Sequence, residues 1–317
     1  MLNQDGHPID GLFAAGEILG RQLLSGDRFV GVWDLPPGPG NPFTGRSVPS
    51  VFVWDAVFDP LGRIGEDGQA VPILAESWSV VDETTWQFSL KDGIQFSNGV
   101  PFTADAVVAT LEYLMTDNGR ASLLGGDVRG IVGVSKIDHM AVARSTSGPD
   151  PVLPNRLALV FIVEPGAWEA LGPSGFAETP VGTGLIVVDG WGANDVILSA
   201  NPTSWRASAL DTLTMIELPE RPARLQALLS GQIDVGFGFS PDNIGQLERN
   251  GMVVGASPAP QVMSLSFATE AHPDSPFTEV RARQAANLAV NREIIAEVLL
   301  AGLGAPAGQP VTPSAFG

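Results

Sequence analysis

The order of elements predicts an α/β chain carrying an inserted α+β lobe, and three observations support that reading. Residues 76–96 alternate apolar and polar on both sides of a short acidic turn, the pattern of an antiparallel hairpin. Residues 212–239 run strand, amphipathic helix, strand, a natural right-handed βαβ crossover. The chain has 317 residues, enough for about two domains of roughly 100–200 residues.

Taken in order, residues 28–34 read as a strand through Phe29, Val30, Val32 and Trp33. Residues 35–45, LPPGPGNPFTG, form a loop, because proline fixes φ and removes donors. In residues 50–61, Trp54, Val57, Phe58 and Leu61 fall at helical spacing and predict a short helix that buries that face. Asp82-Glu83-Thr84, Lys91-Asp92-Gly93 and Asn98-Gly99 are turns. Thr103 caps a helix running to about Met115, with Asp105 near its positive end. Residues 157–163, LALVFIV, read as a strand, and 185–188 with 196–198 as a strand pair. Residues 212–218 form a strand and 221–230 an amphipathic helix closed by Gly231, followed by a buried strand over 233–239. Residues 279–300 are largely helical, with Asn291 capping a second helix.

Composition removes several function classes. Hydrophobic residues make up 44% and charged residues 16%, the proportions of a globular chain with a core. No apolar run reaches the roughly 18 residues of a membrane span. The net charge of −18 repels phosphate backbones, so no nucleic-acid partner is expected; the same charge serves solubility or favours cationic ligands. Cysteine is absent, which excludes disulfides, thiolate metal sites and cysteine nucleophiles. His7, His139 and His272 share no ligand spacing, so no metal site is expected. Neither G-x-S-x-G nor H-E-x-x-H occurs, and Glu66-Asp67 and Asp82-Glu83 read as turns rather than acid/base pairs. The expectation is a binding protein, not an enzyme, with no catalytic residues and no cofactor. The first twenty residues lack the basic region and unbroken apolar stretch of a secretory signal.

The stretch from Ala75 to Leu114 resembles the family 5 extracellular solute-binding proteins, which serve oligopeptide, dipeptide and nickel importers. The family's pattern is a tryptophan strand, an acidic turn, an aromatic strand, a basic turn, an aromatic-polar-Gly step, then Pro-x-Thr-Ala-Asp opening a helix. Here those are Trp78, Asp82, Trp86 with Phe88, Lys91 with Gly93, Phe96 with Gly99, and Pro101 to Asp105; Ala106 stands where a second acid is usual. Residues 31–43, 180–206, 218–238 and 275–302 are similar to further family segments in the same order. The resemblance implies a periplasmic-binding-protein-like fold: two lobes around a cleft, with an inserted α+β domain. Lobe one would comprise 29–49 and 180–262, the insertion 50–179, and the start of an incomplete, truncated second lobe 263–317. It implies a monomeric, periplasmic or otherwise extracytoplasmic receptor that captures a peptide or small solute and delivers it to ABC-transporter permease subunits. A non-functional truncated or fused fragment of such a protein is the alternative, since truncation would leave lobe surfaces and strand edges unpaired; the family's acidic anchor for a peptide amino terminus would fall in the missing part of the second lobe, which leaves peptide, opine, glutathione or another small solute open as ligand.

Ligand contacts are expected on loops at the carboxyl ends of strands. These are Asn41, Phe43, Arg46 and Ser47 after the first strand, Phe239 and Ser240 after the βαβ unit, and Met263, Ser264 and Ser266 at the crossing into the second lobe. Arg46 is suited to bidentate pairing with a ligand carboxylate or to plain solvation. Phe237 and Phe239 share a strand face and serve packing or the ligand. Trp78, Trp86 and Trp205 are expected in the core. Residues 1–28 are a separate extension. Within residues 4–31, GLFAAGE with Glu17 resembles the C-terminal part of the fumarate reductase/succinate dehydrogenase type of FAD flavoprotein, which leaves a fragment of an FAD-dependent oxidoreductase as a third reading. No glycine-rich dinucleotide loop precedes it, so no flavin binding is expected.

Overall fold

A computed structural model of the chain describes residues 26–32, 35, 38–43, 48–65, 68–122, 124–206, 210–255 and 262–309. The flavoprotein-like segment with Glu17 lies outside the described residues, as do Arg46 and Ser47. The chain divides into two compact units, one ending at Phe239 and one beginning at Ser240.

The first unit opens with β1 (Gly26–Val32), α1 (Val48–Val57), β2 (Gly62–Ile64), β3 (Ala70–Pro72), β4 (Ala75–Asp82) and β5 (Thr85–Leu90). It continues with α2 (Ala104–Met115), α3 (Asp117–Ala121), β6 (Ile131–Asp138), β7 (Ala141–Thr146), α4 (Leu153–Leu157) and α5 (Pro165–Glu178). It closes with β8 (Ile186–Trp191), β9 (Asp195–Ala200), β10 (Leu210–Glu217), α6 (Arg221–Leu229) and β11 (Val235–Gly236).

Five strands form one sheet in the order β11-β1-β10-β9-β8. β1 runs parallel to both neighbours, with Val30 opposite Met215 on one side and Val235 on the other. The βαβ unit therefore leaves β10, crosses through α6 and returns on the far side of β1. That crossing packs tightly: a Cβ at Gly31 would lie 2.5 Å from Ile233 Cδ1. β10, β9 and β8 are antiparallel, and Leu213 and Met215 sit opposite Leu198 and Val196, all four buried. Alternation on these strands therefore reads as one apolar face.

Four strands form the second sheet, ordered β4-β5-β7-β6 and antiparallel throughout. The acidic turn joins β4 to β5, with Asp82 Oδ1 accepting from Thr84 N at 2.9 Å. Gly93 and Gly99 have φ of 77° and 82°, left-handed values that glycine adopts without a steric cost and that explain both turn signals. α2 packs against β6 and β7 through a face that buries Val107, Leu111 and Leu114. Its start is fixed by Thr103, whose Oγ1 accepts from Asp105 N at 3.3 Å. One hydrophobic core is continuous across both sheets, from Val32 and Met215 through Trp54, Phe58 and Phe176 to Phe88 and Leu111. Trp78, Trp86 and Trp205 are half-buried against it.

The second unit holds a single turn at Pro241–Asn243, α7 (Ile244–Arg249), a turn at Pro276–Thr278, α8 (Val280–Ala289) and α9 (Arg292–Ile294), which passes into a π-helical turn at Ile295–Leu299. Asn291 caps α9 as its sequence position suggests, accepting from Ile294 N at 3.0 Å. No helix among the described residues is long and apolar enough to cross a membrane.

Three expectations change. Residues 157–163 are not a strand: Leu157 closes α4, and only Phe161 makes an isolated bridge, to Pro60. Pro60 has no N–H to extend a ladder, while Val160, Phe161, Ile162 and Val163 are all buried, so the run is apolar because it crosses the core. The strand expected over 233–239 shrinks to Val235–Gly236 and is half-buried, because β11 is an edge strand. The helix expected over 50–61 ends at Val57, two residues before Asp59-Pro60. The β6–β7 hairpin and α5 carry no strong sequence signal and appear only in the structure.

Candidate functional site

After β1 the chain enters the loop that holds Asn41 and Phe43. Asn41 is buried, and its Oδ1 accepts from Phe43 N at 3.0 Å, a side-chain turn that sets the loop's direction. Phe43 is 2% exposed. Its ring centroid lies 5.2 Å from those of both Tyr113 and Trp168, and Tyr113 and Trp168 are 4.8 Å apart edge to face. These separations suit quadrupole-favoured aromatic packing. Asn41 and Phe43 thus come together, but as the anchor of the loop. The half-buried rings in front of Phe43 are Tyr113, from α2, and Trp168, from α5. Burial raises the Tyr113 hydroxyl above its ordinary value.

Glu164 fixes the start of α5 and hence Trp168. Its carboxylate accepts from Gly166 N at 2.9 Å, Ala167 N at 2.7 Å and Asn98 Nδ2 at 3.1 Å. A carboxylate at a helix N-terminus also meets the positive end of the dipole.

At the end of the βαβ unit, Phe237 and Phe239 are half-buried, Phe237 against the core. The segment is held by Arg224, a residue of α6 that is 3% exposed. Its Nε donates to Phe237 O at 3.0 Å and its Nη2 to Gly238 O at 3.3 Å. Its Nη1 donates to Pro219 O at 2.8 Å and to Leu218 O. One guanidinium therefore ties the exit of β10 to the exit of β11, both at carboxyl ends. Burial first, then the neighbouring Arg221, holds Arg224 below its ordinary value, while Glu220 acts the other way. The amphipathic pattern of α6 hides this role, because a helix face of Arg224, Ala227 and Leu228 places a cation where an apolar residue is expected.

In the second unit, Ser240 N donates to Asn243 Oδ1 at 3.2 Å, and Ser240 Oγ lies 3.1 Å from Asp242 Oδ2. Ser240 thereby starts the turn that leads into α7. Met263 is 97% exposed, and Ser264 and Ser266 are exposed beside it on an irregular segment.

Sequence reasoning also missed a buried polar junction. Asp59 is 0% exposed. Its Oδ2 accepts from Thr183 Oγ1 at 2.9 Å and from Trp205 Nε1 at 3.1 Å, and its Oδ1 pairs with Arg206 Nη2 at 2.5 Å. The Trp205 ring also carries Lys91 Nζ at 4.9 Å and Arg206 Cζ at 5.1 Å from its centroid. The junction joins the end of α1 to the segments that flank β8 and β9. Among the described residues, no group of three or more His, Cys, Asp or Glu side chains is placed to hold a metal ion.

The fold matches solved structures at low identity. The oligopeptide-binding protein AppA from Bacillus subtilis, in complex with a nonapeptide, superposes with a TM-score of 0.76 at 22% identity, over 92% of this chain and 59% of that one. The periplasmic binding protein DppA from Helicobacter pylori, in complex with the peptide STSA, gives 0.75 at 21%, over 92% and 61%. In sequence, the nickel-binding periplasmic protein of Escherichia coli K12 is 26% identical over 306 residues, 91% of this chain and 56% of that protein. A glutathione-binding protein of Escherichia coli is 27% identical over 310 residues, 95% and 57%. The chain thus spans a little over half the length of these curated relatives. The middle-region model of bacterial extracellular solute-binding proteins, family 5, matches residues 69–317, and the chain belongs to that family.

Proposed function

We propose that this chain is the ligand-capturing component of an ABC importer, taking up a peptide or similar small solute in the periplasm or an equivalent extracytoplasmic space and presenting it to membrane permease subunits. The observation that carries the reading is the family match over residues 69–317, on a chain whose mixed sheet superposes on peptide-binding receptors. The loop architecture supports capture. Arg224 and Asn41 hold loops at the carboxyl ends of parallel strands in fixed conformations. Such preorganisation lowers the ordering cost of binding an extended ligand through backbone groups and side pockets. Within this reading, segments 29–49 and 180–262 form one lobe, 50–179 the insertion, and the second lobe begins near 263. Ser240, Met263, Ser264, Ser266, Arg46 and Ser47 are the further ligand contacts.

The test is a thermal-shift panel of di- to nonapeptides, glutathione and nickel ions. It is run on the 317-residue chain and on a version extended to its relatives' length. A ligand at one hundred times Kd adds about 2.7 kcal/mol, which raises the melting temperature by several degrees at about 2–4 °C per kcal/mol. A folded extended protein that shifts with none of these ligands removes the reading.

A further inference from the structure

The inserted sheet carries a second polar site, apart from the loops discussed above. A cavity of about 320 Å3 opens where β7 ends, lined by Arg129, Arg156, Ser147 and the glycines 130 and 148 among others. Its floor is ordered by the chain's own hydrogen bonds. Ser147 N donates to Gly130 O at 2.8 Å, and Thr146 Oγ1 lies 2.7 Å from Gly148 O. Gly130 has φ of 87°, so the turn that admits this approach requires glycine. Trp86 Nε1 donates to Asp150 O at 3.1 Å and holds the opposite wall.

The charges divide unequally. Arg156, from α4, pairs with the Asp150 carboxylate and donates through Nη1 to Arg129 O at 2.5 Å, so Asp150 is neutralised within the wall. Arg129 is exposed and lines the cavity with no hydrogen-bond or ion-pair partner for its guanidinium among the described residues. On a chain with net charge −18, this concave corner holds two arginines against one carboxylate that is already paired. The free Ser147 hydroxyl and the Arg129 fork are the donor types that oxygen anions accept from most strongly.

We propose that this cavity binds a small oxyanion, the phosphate or carboxylate group of a soluble molecule, through the Arg129 guanidinium and the Ser147 hydroxyl, with Arg156 as the fixed cation behind them. None of its lining residues belongs to the solute-capture loops, so the proposal does not rest on solute capture.

Equilibrium dialysis with inorganic phosphate and, in parallel, acetate tests this at constant ionic strength, with chloride as the reference anion. The wild type should bind one of the two oxyanions saturably. Loss of one charge-assisted contact in Arg129→Gln should weaken that binding about tenfold, and Ser147→Ala about threefold. Phosphate retention without acetate retention assigns the site to phosphoryl groups, and the reverse to carboxylates. Arg129 is exposed and unpaired, so Arg129→Gln should melt with the wild type in chloride and should respond to the solute panel unchanged. Oxyanion binding no better than chloride, or equal binding by Arg129→Gln, overturns the proposal and leaves the transport reading untouched.

Discussion

Asp59 and Arg144 are both fully buried in one continuous core unit, yet the two regions treat a buried charge in opposite ways. At the junction of α1 with the segments around β8 and β9, the Asp59 carboxylate meets a cation, an indole N–H and a hydroxyl. Under α2 in the four-stranded sheet, Nε, Nη1 and Nη2 of Arg144 are buried with no hydrogen-bond partner among the described residues. Among the described residues its guanidinium stacks over the Phe88 ring, whose centroid lies 5.5 Å from Cζ. Burial alone pulls the Arg144 guanidinium down to about 9. The difference teaches that burial by itself says nothing about the sign of a charge's contribution. What decides it is how many of the lost water contacts the protein replaces.

The largest effect should come from breaking the satisfied site. Asp59→Ala leaves Arg206 without its carboxylate and strands Thr183 and Trp205. Breaking a buried pair from one side costs about 3–5 kcal/mol. An unfolding free energy from chemical denaturation that falls by less than about 1 kcal/mol would show that water replaces the carboxylate. Arg144→Met should move stability the other way. Replacing an uncompensated buried charge by an apolar side chain of similar length removes its desolvation penalty and should raise stability, less whatever the Phe88 contact supplies. A variant that melts below the wild type would sink the contrast between the two sites.

The pH dependence sharpens the same contrast. Arg144 has a folded value below its unfolded one, so its charged form is penalised in the folded state. Below about pH 9 both states hold the proton and the penalty is complete. Above that value the folded state releases the proton first. The unfolded state then binds more protons, and stability rises with pH until the unfolded arginine also titrates. The advantage of Arg144→Met over the wild type should therefore be constant well below pH 9 and should narrow by about 1.4 kcal/mol per pH unit above it. A gap that widens in alkali contradicts the assignment.

What the sequence conveyed, and what it concealed, follows the same division. The β4–β5 hairpin was readable because Trp78, Trp86, Phe88 and Leu90 keep the period of two that a half-buried sheet demands. The helix from Thr103 was readable because its cap is a local hydrogen bond. The β6–β7 hairpin was not. Arg144 stands opposite Trp86 and Val134, at an inward position where alternation calls for an apolar residue, so the pattern fails where the chain is strained electrostatically. At the candidate site, loop positions such as Asn41 and Phe43 were legible, but their burial was not, since the aromatic wall of Tyr113 and Trp168 comes from helices distant in sequence. Arg224 and Asp59 escaped for the same reason: their partners are assembled by the fold.

Two smaller changes, both at α2 beside the four-stranded sheet, set the lower end of the scale. Thr103→Ala removes the cap of α2 and should cost about 1 kcal/mol. Lys136→Ala removes an exposed pair, in which Nζ lies 2.7 and 2.9 Å from the Asp105 oxygens. The Asp105 side chain is 62% exposed, so solvent screens the attraction and the loss should stay below about 1 kcal/mol. The hydrogen bond from Lys136 is the main cause that lowers the Asp105 carboxyl below its ordinary value. The pair's contribution is therefore present above the unfolded carboxylate range and lost as pH falls through the folded value. Salt separates this pair from the buried charges. About 1 M salt shortens the screening length to roughly 3 Å, which should erase the Lys136→Ala effect but leave Asp59→Ala and Arg144→Met standing. If the two buried-site effects faded in salt along with the surface pair, both groups would be in contact with solvent, and the opposition between a satisfied and an unsatisfied interior would fail.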